Sequence, residues 1–544
     1  MDSKSGLTRA PLDLLTDQGE LGRADATARE YVKSQLREFV AQVLDGTIAV
    51  AANTEMMISA RVAQIDDLLS LQLNEIMHHP SFQKLEGSWR GLKYLVDNSE
   101  TRTMVKIRVL SCNKKELLQD LHQAPRFSQS ALFTKVYEEV YRVFGAAPFG
   151  ALLGDYEFGA QPEDIELLEL ISHVAAAAHA PFISAVPSDA ASDMLTTTRR
   201  EIYLWVQTSL KVCDESKHAK WRRFRRSEDA RYVALCLPRV LGRLPYVRDS
   251  KPVGAFVYIE SVEGTDRSRY LWTNAAYAFG TRLANAFSTY GLCVAICGHE
   301  GGGRADGLPV HIFSTDEGTV YMKTEVSISE RREVELGRLG FIPLLEGHRN
   351  EPALFFGSQS CQQPKVYDTE FATHVARLSA QLPYVMACSR FAHYLMVIAR
   401  DKAGGFASPP DCERSLNGWV QRYARMPYSG PLNPLLPDES ECVMAGEWLT
   451  KVDGSAVDAA HPLAKALIQV KGIEAEETGA KPDRSGGLSC GCPSLRRRAV
   501  DIPTQESSSR PSNYRAVAWL RPRFQLAEPV TLSIVVDVPP PVRG

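Results

Sequence analysis

The run Phe149-Gly-Ala-Leu-Leu-Gly-Asp155 precedes a stretch with helical apolar spacing from Pro162 to about Ala178, which Pro181-Phe-Ile-Ser-Ala-Val186 follows. The two outer runs are short and apolar, as buried strands are, and Pro162 suits the first turn of a helix. A strand, a helix and a second strand in this order predict a parallel α/β unit. The centre of the chain is therefore predicted to be α/β.

Similar patterns continue downstream of this unit. Tyr232–Leu237 and Leu292–Gly298 read as further buried strands, and Asn274–Tyr290 reads as a helix between them. Three more helices are predicted, at Ser329–Leu339, at Phe371–Arg400 with a break at Pro383, and at Ser408–Arg425. Leu467–Ile473 could form one more strand.

The part before residue 100 is predicted to be mainly helical. In the stretch Phe82–Val96, Leu85, Trp89, Leu92 and Val96 recur at helical spacing, which predicts a packing helix anchored by Trp89. Next, alternation of apolar and basic residues over Val105–Val109 predicts a strand. Asn113, with Glu116 three residues later, predicts the N-terminus of another helix.

The C-terminal residues predict a pair of strands. Tyr514–Leu520 forms the first, and in the second Leu532, Ile534 and Val536 alternate with polar Ser533 and Asp537. Two strands alone are marginal in water, so this pair requires further strands or a packed helix.

Composition limits the possible classes of protein. The chain has 544 residues, a formal net charge of −3 and no apolar run of the length that a membrane helix needs. The start, Met1–Gly6, lacks the apolar core of a signal peptide, and eleven scattered cysteines suit reduced thiols. We expect a cytoplasmic protein without direct membrane insertion.

Few residues suggest enzymatic chemistry. The glycine cluster Gly298–Arg304 lacks the spacing of a phosphate-binding loop, so a tight turn is favoured over a site at Gly301. Asp155 and Glu157 follow a strand and could act as acids or bases, but no partner group is evident. Cys490 and Cys492 have no second ligand pair nearby for zinc. We expect no enzyme, and no catalytic, cofactor-binding or metal-binding residue; an α/β enzyme with a site near Asp155 and Gly301 is the alternative.

The run Lys217–Arg226 offers another alternative. It interleaves aromatic and basic residues, as a nucleic-acid-binding module could. Glu228 and Asp229 follow at once and the whole chain is acidic, so an exposed helix face or a protein contact is favoured and no nucleic-acid partner is expected.

From about Leu73 to Arg425, and again at Tyr514–Leu526, the chain resembles the large subunit of the bacterial type VI secretion contractile sheath, the TssC or VipB family. The stretches that carry the resemblance are Leu73–Val96, Phe149–Phe158, Ser227–Val233, Tyr270–Tyr277, Arg377–Tyr384, Ser389–Tyr394 and Tyr514–Leu526.

The resemblance implies a structural protein of phage tail sheath-like type. Its partners would be a small sheath subunit of the TssB or VipA type, copies of itself in six-membered rings, an inner tube protein and a baseplate. An AAA+ disassembly ATPase would act mainly through the small subunit. Contraction of the helical assembly would drive the inner tube and its effectors into target cells.

The resemblance also implies strand exchange between subunits. It assigns this role to an N-terminal strand and to the C-terminal pair, at Leu12, Leu14, Tyr514, Val517, Trp519, Leu532, Ile534 and Val536. The expected fold is mixed α/β and α+β with several domains. Their boundaries are a strand arm at 1–25, a helical region at 26–100, an α/β sheath body at 101–425, a loop-rich segment at 426–512 and the strand pair at 513–544.

Overall fold

In a computed structural model, two compact units divide the chain: residues 1–79 with 246–261, and residues 80–245 with 262–544. The structure describes residues 54–100, 105–141, 147–159, 161–186, 219–247, 256–262, 267–299, 301–315, 318–347, 351–368, 370–401, 409–423, 463–473, 513–522 and 532–538, and helical residues 34, 37, 38 and 41.

The described helices are α1 Thr54–Met77, α2 Pro80–Asp97, α3 Lys114–Gln123, α4 Ala131–Phe133, α5 Glu139–Tyr141, α6 Pro162–Ala178, α7 Ala219–Arg226, α8 Ala275–Tyr290, α9 Glu330–Arg338, α10 Glu370–Ser379, α11 Leu382–Asp401 and α12 Pro409–Val420. The described strands are β1 Leu152–Glu157, β2 Phe182–Ala185, β3 Val233–Leu237, β4 Val240–Leu241, β5 Trp272–Thr273, β6 Arg304–Ala305, β7 His311–Thr315, β8 Gly318–Met322, β9 Ile342–Leu345, β10 Ala353–Phe355, β11 Leu463–Ile473, β12 Asn513–Pro522 and β13 Leu532–Val538. The mixed α/β fold is thus confirmed.

The central sheet has the strand order β1-β2-β3-β9-β10-β6. Its first four strands are parallel, and β10 and β6 are antiparallel to their neighbours. The predicted unit around Phe149–Val186 is confirmed, since β1 pairs with β2 across α6. Pro162 stands in the first turn of α6, where no helical partner is needed for the missing N–H.

Both faces of this sheet are buried. Along β3, Val233 and Leu235 contribute to the core on the side of α6, whereas Ala234 and Cys236 contribute to the core on the side of α8. Because the strand is covered on both sides, it reads as a continuous apolar run rather than an alternation.

Two predicted strands are absent. Residues 105–113 are not part of any helix or strand, although Asn113 begins α3 with a capping box to Glu116 as predicted. Leu292–Gly298 does not form a strand either: Gly291 ends α8 at φ 69°, and within the segment the Ile296 N–H donates to the carbonyl oxygen of Val294 at 3.0 Å, which is a local turn. The predicted helix break at Pro383 is confirmed, since α10 ends at Ser379 and α11 begins at Leu382.

Two buried histidines lie where α6 ends. His179 occupies the left-handed C-cap at φ 51° and its Nδ1 lies 3.4 Å from the hydroxyl of Tyr232, and Nε2 of His393 lies 3.0 Å from the carbonyl oxygen of Ala178. Burial lowers the pKa of His179 to about 4, because desolvation disfavours the charged ring. His179 is therefore neutral in the folded chain near pH 7.

We expect His179→Asn to weaken the acid sensitivity of folding. The unfolded chain keeps the ordinary histidine pKa of about 6.5, so it binds a proton first and wild-type stability falls as the pH drops from about 6.5 towards 4. This contribution amounts to about 2 kcal/mol between pH 7 and about pH 5. Asparagine tolerates the left-handed backbone and does not titrate. Thermal unfolding at both pH values tests this, and an unchanged pH dependence in the variant would contradict it.

Candidate assembly surfaces

The C-terminal strands form a separate three-stranded antiparallel sheet in the order β11-β12-β13. The predicted pair is confirmed as β12 and β13, with Tyr514 opposite Val538, Val517 opposite Val535 and Trp519 opposite Ser533. Leu520, Ala518 and Ala516 of β12 lie opposite Leu532, Ile534 and Val536 of β13. Six of the eight residues expected to exchange strands thus belong to one sheet, while Leu12 and Leu14 lie outside the described residues.

A third strand from the same chain completes this sheet. β11 pairs with β12 over nearly its whole length, from Leu463 opposite Pro522 to Ile473 opposite Asn513. The expectation that the missing strands come from other chains therefore needs a correction, since one of them is supplied within the chain. The apolar run Leu467–Ile473 is the sequence signal that predicts this strand.

Helix α12 holds β11 in place through one side chain. Nδ2 of Asn417 donates to the carbonyl oxygen of Ile468 at 2.6 Å, and Oδ1 accepts from the Ile468 N–H at 2.8 Å. Ile468 and Ala518, which lie opposite each other, are both fully buried. Helices α12 and α11 pack beside β11 and β13 respectively, so the sheet is attached to the body of the second unit.

A second surface lies along β1, one of the two edge strands of the central sheet. A groove of about 1810 Å³ is lined there by β1, α2, α8 and the extended segment 105–112. The hydroxyl of Tyr156 donates to the carbonyl oxygen of Cys112 at 2.8 Å, and the guanidinium of Arg108 lies 5.6 Å from the ring centre of Phe149. Among the described strands, β1 pairs only with β2, so its other edge faces this groove.

The apolar side chains of α2 face outward beside this groove. Leu85, Trp89 and Val96 are 57%, 66% and 43% exposed, so the expectation that they pack inward with Trp89 as anchor is wrong. The buried face is small instead: a Cβ on Gly87 would lie 2.7 Å from the carbonyl oxygen of Trp272, and one on Gly91 would lie 2.3 Å from the Tyr277 ring. Helix α2 approaches β5 and α8 through glycines and buries Leu95, whereas Leu85, Trp89 and Val96 remain exposed.

The two suggested enzyme positions do not come together. Asp155 lies on β1, whereas Gly303, two residues after Gly301, exchanges backbone bonds with Phe355 and Gly298 beside β10. Three strands separate β1 from β10, which corresponds to roughly 19 Å across the sheet. Burial raises the pKa of Asp155 despite hydrogen bonds from Ser88 and Tyr277. Within the described ranges, no cluster of His, Cys, Asp and Glu could hold a metal ion.

Residues 219–226 of the basic run form α7, and several of their side chains pack in the core. Trp221 and Phe224 are buried, and Trp221 stacks on Phe341 with ring centres 5.9 Å apart. Arg225 is buried too and donates to the carbonyl oxygens of Cys361 and Arg338 at 3.0 and 2.8 Å. The aromatic side chains that could stack on bases therefore lie in the core, which favours the helix-face interpretation over nucleic-acid binding.

The exposed apolar side chains of α2, together with strand edges that pair with no described strand, suit a subunit that assembles with other chains, and the family comparisons define its class. The chain matches the family model VipB, described as "EvpB/VC_A0108, tail sheath N-terminal domain", over residues 59–362. It matches VipB_2, described as "EvpB/VC_A0108, tail sheath gpW/gp25-like domain", over residues 371–430.

The chain belongs to the VipB/TssC family of type VI secretion sheath proteins. It is 43% identical over 405 residues to "Type VI secretion system sheath protein TssC1" of Pseudomonas aeruginosa, which covers 73% of this chain and 80% of the relative. It also aligns with a chain in the cryo-EM structure of the anti-feeding prophage (AFP) baseplate, 6-fold symmetrised. That alignment has 10% identity and a TM-score of 0.30 and covers 75% of this chain and 84% of the other. The described residues contain no helix long and apolar enough to cross a membrane.

Proposed function

We propose that this chain is the large structural subunit of a type VI secretion contractile sheath. It would assemble with a small sheath subunit into six-membered rings around an inner tube, in the cytoplasm, and contract to propel the tube with its effectors. Family membership carries this proposal. A baseplate and an AAA+ disassembly ATPase, the latter acting mainly through the small subunit, complete the proposed partners.

Strand exchange at the C-terminal sheet would connect neighbouring subunits. The β11-β12-β13 sheet supports this role, because among the described strands nothing pairs with the outer edge of β13. Addition of an extended segment to such an edge gives a ladder of main-chain hydrogen bonds without a large interface. The proposed donor is the N-terminal arm with Leu12 and Leu14 from another copy.

The groove along β1 would receive the small sheath subunit. An exposed apolar stripe beside an unpaired strand edge suits a polypeptide partner, which can cover the apolar side chains and pair with the edge. The exposed Lys106 and Arg108 on the rim favour acidic side chains in the segment that binds there.

Removal of residues 513–544 should abolish sheath formation and leave the central sheet folded. Without β12 and β13, β11 loses its described strand partner, whereas β1 to β10 keep theirs. Coexpression with the small subunit and electron microscopy should show no long tubes, while circular dichroism of the purified chain should show retained secondary structure. Contractile tubes from the truncated chain would refute strand exchange at this sheet.

Two substitutions on α2 should separate binding from folding. Trp89→Ser removes an exposed side chain, so we expect stability to change by no more than about 0.5 kcal/mol and copurification with the small subunit to fall at least roughly tenfold. Leu95→Ala, the matched control on the buried face, should cost about 2–5 kcal/mol. Unchanged copurification of the Trp89 variant would rule out the groove as the binding surface.

A further inference from the structure

One side chain closes the outer edge of β11 at its centre. Asn417 makes both a donor and an acceptor bond with the backbone of the same residue, Ile468. A neighbouring antiparallel strand would use the same two groups in the same way. Nδ2 also donates to the carbonyl oxygen of Glu413 at 3.0 Å, one turn earlier in α12, which fixes the direction of the amide.

These bonds also define the outer edge of β13. In an antiparallel sheet the N–H and C=O of one residue lie on the same side of the strand, and the side alternates along the chain. The N–H and C=O of Ile468 both point away from β12, because they bond to Asn417. The N–H and C=O of Ala518, which lies opposite Ile468, therefore point towards β13 and pair with those of Ile534. By alternation, Ser533, Val535 and Asp537 carry the backbone groups that face away from β12.

We infer that Asn417 seals the β11 edge, so that this sheet accepts a strand from another copy of the chain only at the β13 edge. The inference rests on the proposed strand exchange and adds which edge is used and what excludes the other. The occupant is the arm at residues 10–15: its length is close to the seven residues of β13, and Leu12 and Leu14 alternate with Asp13.

Closing one edge of the sheet limits the number of strands that other chains can add to it. A sheet with two open edges can add chains on both sides and propagate without limit. Closing one edge with a side-chain amide leaves one acceptor site in each sheet, so that each copy can accept one arm. Asparagine suits this position because its amide resembles a peptide group and offers a donor and an acceptor at once.

Matched proline substitutions on the two edges test the inference. Val535→Pro removes an outward N–H from β13, and Val470→Pro removes one from β11, two residues beyond Ile468 and on the same side. Neither change removes a bond to β12. With the full chain coexpressed with the small subunit, we expect Val535→Pro to reduce tube number at least roughly tenfold and Val470→Pro to leave it near wild type.

Two other outcomes would contradict the inference. Loss of tubes with Val470→Pro alone would overturn the choice of edge and leave strand exchange standing. Normal tubes from both variants would overturn strand exchange at this sheet together with the inference.

If both proline variants fold poorly, hydrogen exchange on the unsubstituted chain tests which edge of the sheet accepts a strand. The Ile468 amide should exchange slowly both before and after assembly, because Asn417 holds it throughout. The Val535 amide should exchange quickly before assembly and at least roughly a hundredfold more slowly in tubes, when it acquires a partner. Equal exchange at Val535 in both states would overturn the inference. In Asn417→Leu, Ile468 should lose its protection before assembly.

Discussion

Pairing of backbone N–H and C=O groups along strand edges is the constraint on which the rest of this structure depends. A strand edge must pair with another strand, be covered by side chains, or remain in water. In two places in this structure, side chains bond to backbone groups of a strand. Ser184 and Asn274 donate to the carbonyl oxygens of β1 near its register shift, at Gly154 and Tyr156, and Asn417 pairs with both groups of Ile468.

Close helix packing determines which surfaces remain uncovered. Gly91 of α2 meets Tyr277 of α8, and Gly280 of α8 leaves room for the side chains of Leu153 and Leu95. Because glycines make these contacts, the interface between α2 and α8 covers little of the apolar surface of α2. Leu85 and Trp89 lie outside it, where water alone would be an unfavourable neighbour. The same packing that stabilises the body thus leaves large apolar side chains of α2 exposed.

Local patterns predicted the elements that local interactions determine. The unit β1-α6-β2 has short apolar runs, a helix-starting proline and clear spacing, and all three elements were predicted within about three residues. Residues 105–109 have an equally good strand pattern but no partner in the described chain, and a strand exists only when another strand pairs with it. The prediction that Trp89 packs inward was wrong for a related reason. Apolar periodicity shows which face of a helix favours burial, but not whether the same chain or another chain covers that face. Asn417 carried no sequence signal, because its role depends on a strand 51 residues away.

Two of the failed predictions, the strand at residues 105–109 and the inward-facing stripe of α2, concern the same part of the molecule. Residues 105–109 and the exposed side chain of Trp89 both line the groove along β1, where the small sheath subunit is proposed to bind. The C-terminal sheet differs, because Asn417 already pairs with one of its edges and the proposed exchange adds a single strand at the other. A ladder of a few main-chain bonds, each worth about 1 kcal/mol net, connects two bodies without fixing their mutual angle. In the proposed sheath the two surfaces would have different roles: the groove would form a broad contact within the subunit pair, and the strand link would persist while the pairs rotate.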